Sequence, residues 1–463
     1  MHIAIVGAGY VGLVTAACLA HLGHDIVCLD VDAARVARLR AGVLPVHEPG
    51  LDELVAKGLR EGRLRFAEDA TAIRGAELAI VCVGTLDPDE EWDDGIVRAA
   101  VRDIASDPGL PRAIVIRSTL LPGTAADIAR QMQAVDASVR IAHNPEFTRE
   151  AVAVADFLAP DRVVIGVDGH DDGAAGSALA EALQRVYAPL TAPVLLTDLT
   201  SAETIKVASN VFLAAKITFA NEISRLAAAT GADAQAVVDG MGLDKRIGRS
   251  FLSPGPGFGG SCFPSQARAL PRLAPGHGVQ TPLMDAIWPS NVRQADWLVE
   301  GLERAAGRSV SGMRVALLGL TFKAGTDDLR ESPAIRLGRG LLARGASLAA
   351  FDPVALERGI ALLRAAAVHE ADAADGADAD PAAVALKPAP SVADATRGAH
   401  AVVVATEWPE FGTLDWASIA PAMAGDLVVD GRRIVDAAAA SAAGLRVIAL
   451  GVEATGAPLR AAD

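Results

Sequence analysis

The stretch that most constrains the fold stands at the start of the chain. "HIAIV" is a short apolar run of β type, and Gly7, Gly9 and Gly12 of "GAGYVG" follow it directly, ahead of a helical pattern. Strand, glycine turn and helix in immediate succession make the first half of a βαβ unit. The glycines permit a tight turn, close approach of a pyrophosphate and tight packing of helix on strand, with the helix N-terminus facing the phosphates. Asp30 ends the next apolar run, 18 residues beyond Gly12, where a carboxylate would hydrogen-bond a ribose hydroxyl. Its charge would repel a 2′-phosphate and so favours NAD over NADP. Arg35 is near in sequence and reads as a second group for the same ribose or for the phosphates.

The alternation continues. "DIVCLD", "LAIVCVG", "AIVIRST", "RVVIGV" and "PVLLTD" separate helix-like segments up to residue 200, the pattern of a parallel sheet wrapped by helices. Residues 201–300 carry no comparable strands. "SAETIKVASNVFLAAKITFANEISRLAAATG" instead holds about 30 residues of helical periodicity, opened by Ser201 with Glu203 soon after and stopped by Gly231. Such a helix spans roughly 45 Å, enough to bridge domains or to pair with a second copy through an apolar face of Ile205, Phe212 and Ile217. A second alternation begins at "MRVALLGL" and continues through "SLAAFDP", "AVVVATEW" and "DLVVDGR". Within it, "AAAVHEADAADGADADPAAVALKPAPS" is low in complexity and reads as a solvated surface excursion. The expected class is α/β: two Rossmann-like doubly wound domains, residues 1–200 and 301–463, joined by a central helical domain at 201–300. A length of 463 residues accords with two or three domains.

Charge and cysteine usage narrow the function. A net charge of −15 argues against nucleic acid as a partner, while leaving room for phosphorylated ligands that need only a local cluster of donors. No run approaches a membrane span and the N-terminus lacks the pattern of a signal peptide. The four cysteines show no metal-type spacing and no metal is expected; a reducing, cytoplasmic setting fits. Cys18, Cys28 and Cys82 lie in apolar runs, where buried inert thiols are expected. Cys262 differs. It stands in "PGPGFGGSCFPSQ", residues 254–266, so dense in Gly and Pro that a loop is expected, presenting a nucleophilic thiol to a ligand.

Beyond "IAIVGAGYVGLVTAACLAHLGHDIVCLDVD", the segments "EPGLDELV", "NPEFTRE", "DFLAPDRVVIG", "SAETIKVASNVFLAAKITFANE", "GLDKRIG", "GPGFGGSCFP", "LGLTFKAGTDDLRESP" and "ATEWPEF" together resemble the UDP-glucose/GDP-mannose dehydrogenase family, in collinear order over nearly the whole chain. The resemblance implies an NAD domain, a central helical dimerisation domain and a nucleotide-sugar domain. It also implies oxidation of a sugar C6 alcohol to the carboxylate with two NAD and no metal, with UDP-glucose the leading substrate. Attack of a thiolate on the intermediate aldehyde gives a thiohemiacetal, whose oxidation gives a thioester that water hydrolyses. By position, the resemblance makes Cys262 the nucleophile and assigns Lys206 and Asn210, four apart on one helical face, to the developing oxyanion. It makes Glu146 the base for thioester hydrolysis, with Glu150 a helical turn on if that segment is helical, and Thr119 the hydroxyl that orders a water. Gly7, Gly9, Tyr10, Val11, Gly12, Asp30, Arg35, Thr85 and Thr119 would contact the cofactor. Phe147, Thr148, Glu150, Lys206, Asn210, Arg246, Phe251, Gly259, Lys323 and Arg330 would contact the nucleotide sugar, Arg246 across a homodimer. Read without the family, Lys206 is a solvated helix charge, Glu150 a surface carboxylate, Thr119 a cap, and Lys323 and Arg330 solvated cations.

The chain departs from the family pattern at the centre of the site. Ser265-Gln266 stands where the family has Lys-Asp, so a neutral amide replaces the carboxylate that assists proton removal. Thr148 replaces the usual Leu of "NPEFLRE", and the proline after "VGT" is missing. Three readings follow: a 6-dehydrogenase completing both oxidations, a relative that stops at the aldehyde or acts on another nucleotide-linked alcohol, and a non-catalytic binder of the same ligands. Retention of Cys262, Lys206, Asn210 and Glu146 argues against the third.

Overall fold

The computed structural model describes residues 1–87, 91–168, 174–375 and 385–450, and the chain divides into two compact units, Met1–Ser209 and Asn210–Asp463.

The first unit is built on strands β1 (His2–Val6), β2 (Asp25–Leu29), β3 (Leu64–Ala67), β4 (Leu78–Val81), β5 (Ala113–Ile116), β6 (Arg140–His143), β7 (Val163–Val167) and β8 (Val194–Asp198). They form one sheet in the order β3-β2-β1-β4-β5-β6-β7-β8. Alternate residues of β1 serve both faces: Ile3 and Ile5 join the core under the helix Tyr10–His21, while Ala4 joins a second core with Val97, Val101 and Ile128. A sheet covered on both sides requires such near-continuous apolar strands. The expected all-parallel sheet is corrected at one point. β6 and β7 run antiparallel, because the chain leaving β6 crosses the sheet's end with only the short helix Ala153–Leu158 and re-enters from the end it left.

The second unit opens with the later part of the long helix and the helices Ala234–Gly242, Cys262–Leu273 and Pro282–Ala306. Its sheet comprises β9 (Arg314–Leu318), β10 (Ser347–Phe351), β11 (Leu386–Pro388), β12 (Ala401–Val404), β13 (Leu427–Asp430) and β14 (Arg446–Ala449). The order is β11-β10-β9-β12-β13-β14 and every pairing is parallel. Both sheets therefore carry the Rossmann-like strand order.

Other expectations are corrected in detail. The long helix runs Leu199–Thr230 and ends at Gly231, whose φ of +75° suits glycine. It begins two residues before Ser201, whose N–H and hydroxyl donate to Asp198. Ile217 packs into a core cluster with Val211 and Phe258, so the outward apolar stripe is Phe212, Phe219 and Leu226 instead. The low-complexity segment overlaps the helix Leu356–Asp375 and contains β11, with residues 376–384 outside those described. The loop expected through Gln266 ends at Ser261. Glycines stop at Gly260, and Pro264 falls in the first turn, where its missing N–H has no intrahelical partner to lose, so a helix starts at Cys262. Among the described residues no helix is long and apolar enough to cross a membrane.

Candidate active site

In the first unit the site grows from the carboxyl ends of four adjacent parallel strands. Val6 pairs with Val81, Val81 with Ile116 and Ile116 with His143. The segments that follow them, Gly7–Gly12, Cys82–Thr85, Arg117–Gly123 and Asn144–Glu150, thus leave the sheet along one edge, where doubly wound folds bind ligands.

The glycine turn is built for a dinucleotide. Gly7 has φ +103° and a Cβ there would lie 2.6 Å from the Cys82 carbonyl oxygen; one on Gly12 would lie 1.8 Å from the Gly7 carbonyl oxygen. Gly9 has nothing within 4 Å of its Cβ position, which leaves the helix N-terminus open to a pyrophosphate. Asp30 Oδ2 accepts from Ala8 N–H at 2.7 Å and Arg35 Nη1 at 3.0 Å, and Oδ1 accepts from Asp32 N–H at 3.0 Å. Arg35 is thereby engaged with the carboxylate that would hold the ribose. Free space at Gly9, a helix start and an anchored acid at the end of β2 all fit NAD.

Around Glu146 the polar groups are buried. Lys206 Nζ donates to Glu146 Oε1 at 2.7 Å, with both side chains under a tenth exposed. Thr148 donates to Oε2 through its N–H at 2.6 Å and its hydroxyl at 2.5 Å. Burial pushes the Glu146 carboxyl up, but the Lys206 charge and these donors hold it down at about 2. The Lys206 ammonium lies 5.4 Å from the centre of the Phe147 ring and the Arg162 guanidinium 3.8 Å from it. Lys206 is therefore no solvated helix charge. Thr119 is half-buried in the turn after β5, Asn210 is buried, and Thr85 is half-buried after β4. Glu150 is not a helical turn beyond Glu146, because residues 144–149 form no helix or strand, Glu150 lies in a turn, and the next helix starts at Ala153.

The roles of two buried carboxylates in this unit escaped the sequence reading, which took Glu203 only as part of the start of its own helix. Glu48 of "HEPG" accepts from the Tyr10 hydroxyl and from Ala151 and Ala153 N–H at 2.8 and 2.7 Å. It fastens the first residue of the cofactor helix to the segment beside Glu150, where Ala151 adopts φ +68°. Glu203 accepts from Gly123 and Ala125 N–H. The "EPGL" motif was a signal for Glu48; neither residue's partners were, since they lie far away in sequence.

In the second unit Cys262 is exposed, whereas Cys18, Cys28 and Cys82 are buried and burial pushes the Cys18 and Cys82 thiols up to about 12. Cys262 is the first residue of its helix, where a negative charge on sulfur meets the helix's positive end. The glycine loop before it is held by buried amides. Asn291 Oδ1 accepts from Phe258 N–H at 2.8 Å and its Nδ2 donates to the Phe258 carbonyl at 3.0 Å. Gln294 donates to the Gly255 carbonyl at 2.9 Å, and Asn221 accepts from Gly255 N–H at 2.8 Å. A Cβ on Gly257 (φ +114°) would come within 2.8 Å of Asn291 Oδ1, and one on Gly259 within 2.5 Å of the Glu331 carbonyl oxygen. Phe251, Phe263 and Phe258 stack edge to tilted at about 6 Å, closing the loop's apolar side.

One helical turn past the thiol, Gln266 is 2% exposed and its Oε1 lacks a hydrogen-bond partner among the described residues. Ser265 spends its hydroxyl on the Ser261 carbonyl at 2.6 Å. Arg246 is 88% exposed and paired with Asp244 at 2.6 Å; Arg330 is paired with Asp328 at 2.6 Å; the Lys323 ammonium lies 5.5 Å from the Phe322 ring.

Comparison with known sequences decides the family. Profiles of the UDP-glucose/GDP-mannose dehydrogenase family match residues 1–191 as the NAD-binding domain, 200–293 as the central domain and 316–437 as the UDP-binding domain. The chain belongs to the UDP-glucose/GDP-mannose dehydrogenase family. The UDP-glucose 6-dehydrogenase of Rhizobium meliloti is 39% identical, over 94% of this chain and 95% of its own length. That of Rickettsia felis is 36% identical over 97% and 96%. A solved UDP-glucose dehydrogenase from Pyrobaculum islandicum superposes with a TM-score of 0.81 at 37% identity, covering 95% of each chain. A UDP-D-ManNAc dehydrogenase from Pyrococcus horikoshii reaches the same 0.81 at 26% identity, covering 97% and 99%. Membership makes the protein an NAD-dependent nucleotide-sugar dehydrogenase with two Rossmann-like domains and a helical middle.

Proposed function

We propose that this dehydrogenase oxidises the C6 alcohol of UDP-glucose to the carboxylate through a thiohemiacetal and a thioester on Cys262. The observation that carries the reading is the contrast among the thiols: Cys262 alone of the four is exposed, at a helix start behind a loop clamped by Asn221, Asn291 and Gln294. The substrate follows the names of the relatives above.

NAD, when bound, would supply the hydride acceptor for each oxidation. Gly7, Gly9, Tyr10, Val11 and Gly12 would hold its pyrophosphate, with Asp30 on a ribose and Thr85 and Thr119 along its length. Lys206 and Asn210 stabilise negative charge on the C6 oxygen. Glu146 holds the Lys206 ammonium in place; three donors leave its carboxylate one free lone-pair direction, suited to a water. Held near 2, it orients that water and is a weak acceptor for the proton. The thiolate adds to the aldehyde carbon, forming a C–S bond. After the second oxidation, water attacks the thioester carbon, the C–S bond breaks, and the electron pair returns to sulfur. Phe147, Thr148, Glu150, Phe251, Gly259, Lys323 and Arg330 contribute to the nucleotide-sugar site.

Residues 1–200, 201–300 and 301–463 are read as cofactor, helical and nucleotide-sugar domains of a cytoplasmic homodimer. The exposed stripe of Phe212, Phe219 and Leu226, at heptad spacing on the long helix, supports pairing with a second copy, to which Arg246 would reach. One observation favours a second reading, in which the reaction stops at the aldehyde or the substrate differs: the neutral Gln266 amide, whose Oε1 has no hydrogen-bond partner among the described residues, lies one turn past the thiol.

The test of the covalent route is Cys262→Ser. The variant should form no uronate while binding NAD and UDP-glucose within a few-fold of wild type by calorimetry. Full uronate production by the variant would rule the route out.

A further inference from the structure

The turn between β5 and the helix Thr124–Val135 is pinned at both ends. At its start the Ser118 hydroxyl donates to the Val83 carbonyl at 2.8 Å. At its far end Gly123 N–H donates to Glu203 Oε2 at 2.7 Å and Ala125 N–H to Oε1 at 2.5 Å. These amides belong to the group that a helix start leaves without intrahelical partners. The capping position here is Gly123, which has no side chain to supply one, so the acceptor comes from 80 residues away. Glu203 is wholly buried and stands on the long helix three residues before Lys206, on the same face. Thr119 lies between the two pins.

We infer that Glu203 is a positioning residue for Thr119, joining its turn to the helix that carries Lys206, and that both ties reach full strength only when the carboxylate is charged. An ionised carboxylate accepts at each oxygen. A neutral carboxyl keeps its carbonyl oxygen as a full acceptor, but its hydroxyl oxygen has given a lone pair to the proton and accepts poorly, so one of the two ties weakens. The inference rests on the proposed role of Thr119 in nucleotide-sugar oxidation.

Burial pushes the Glu203 carboxyl up to about 7; the two amides pull it down and Asp198 adds to the rise. Other charges nearby are already committed: Asp198 to Ser201, Asp127 of the capped helix to Arg98, and Lys206 to Glu146. The ties therefore reach full strength as pH rises through neutrality. Stability moves the other way. Between the ordinary carboxyl value of 4.5 and about 7 the folded protein holds a proton that the unfolded chain has released, so this group lowers stability as pH rises through that window. Positioning and stability oppose each other at one residue.

That opposition makes the experiment. In full-length Glu203→Gln at pH 8, kcat should fall about tenfold, as a small misplacement of a catalytic group does. Wild-type kcat should rise through about pH 7, as the Glu203 carboxyl ionises, and the variant should lack that step, so that the two converge near pH 6. The variant's melting temperature at pH 8 should exceed that of wild type, and the gap should close toward pH 5. An ordinary structural anchor would lose stability and activity together, so a lowered melting temperature at pH 8 overturns the inference, as does an unchanged kcat. Amide exchange in the wild type decides the matter even if the variant does not fold. Protection of Gly123 and Ala125, relative to Ile128 in the same helix, should be greater at pH 8 than at pH 6; equal protection overturns the inference. Melting and exchange need no substrate, so they separate failure here from failure of the proposed reaction.

Discussion

Replacing Lys206 by Met tests the buried ion pair at the heart of the first unit. The substitution keeps the length of the side chain and removes its charge, leaving the Glu146 carboxylate buried with only the two Thr148 donors. The Glu146 carboxyl sits at about 2 against an ordinary 4.5, a depression worth about 3 kcal/mol at 1.36 kcal/mol per pH unit. That agrees with the roughly 3–5 kcal/mol lost when one partner of a buried pair is removed. The pH dependence has a definite sign. In the wild type a depressed carboxyl contributes fully above 4.5 and loses its contribution only as pH falls toward 2, so it adds no slope between pH 5 and 8. In Lys206→Met, burial without the ammonium raises the carboxyl, and the folded state then binds the proton more tightly than the unfolded chain. The destabilisation should be largest at pH 7.5 and shrink at pH 5, and a second change, Glu146→Gln, should restore part of it. Urea unfolding of the three proteins at both pH values measures this. A loss below about 1 kcal/mol, or one equal at the two pH values, would refute the buried pair as the dominant interaction.

Two further outcomes follow from the second unit. Gln266→Asp should raise turnover on the true substrate and add an ionisation on the acidic limb of the pH profile, since a carboxylate base acts only when deprotonated; no gain on any of several nucleotide sugars would show that Gln266 is not a disabled base. Asn291→Ala removes both ties to Phe258 and should cost about 1–3 kcal/mol of stability. It should also change the rate of Cys262 alkylation, and an unchanged rate would show that the clamp does not govern presentation of the thiol.

The cofactor turn was legible because its logic is local: strand, glycines and helix are contiguous, and Asp30 directly follows the next strand. The long helix was legible for the same reason, by its periodicity. β3, with Arg65 in a strand of four residues, and β6, with Arg140 and His143, were too short and too mixed to stand out. The reversal at β7 has no sequence signature, since strand direction depends on the path between strands. Chemistry held by distant partners stayed hidden. Nothing in "SAETIK" shows that Glu203 caps another helix and not its own, or that Asn291 and Gln294 of the helix Pro282–Ala306 clamp a loop more than 30 residues earlier. The start of a helix at Cys262 was obscured by the surrounding Gly and Pro, although Pro264 is compatible with a first turn.

Two-stage oxidation through Cys262 is tested by counting NADH against substrate consumed. With limiting UDP-glucose and excess NAD, absorbance at 340 nm should report two NADH per sugar for the wild type, with UDP-glucuronate the product. One NADH per sugar with released aldehyde, or none, would contradict it.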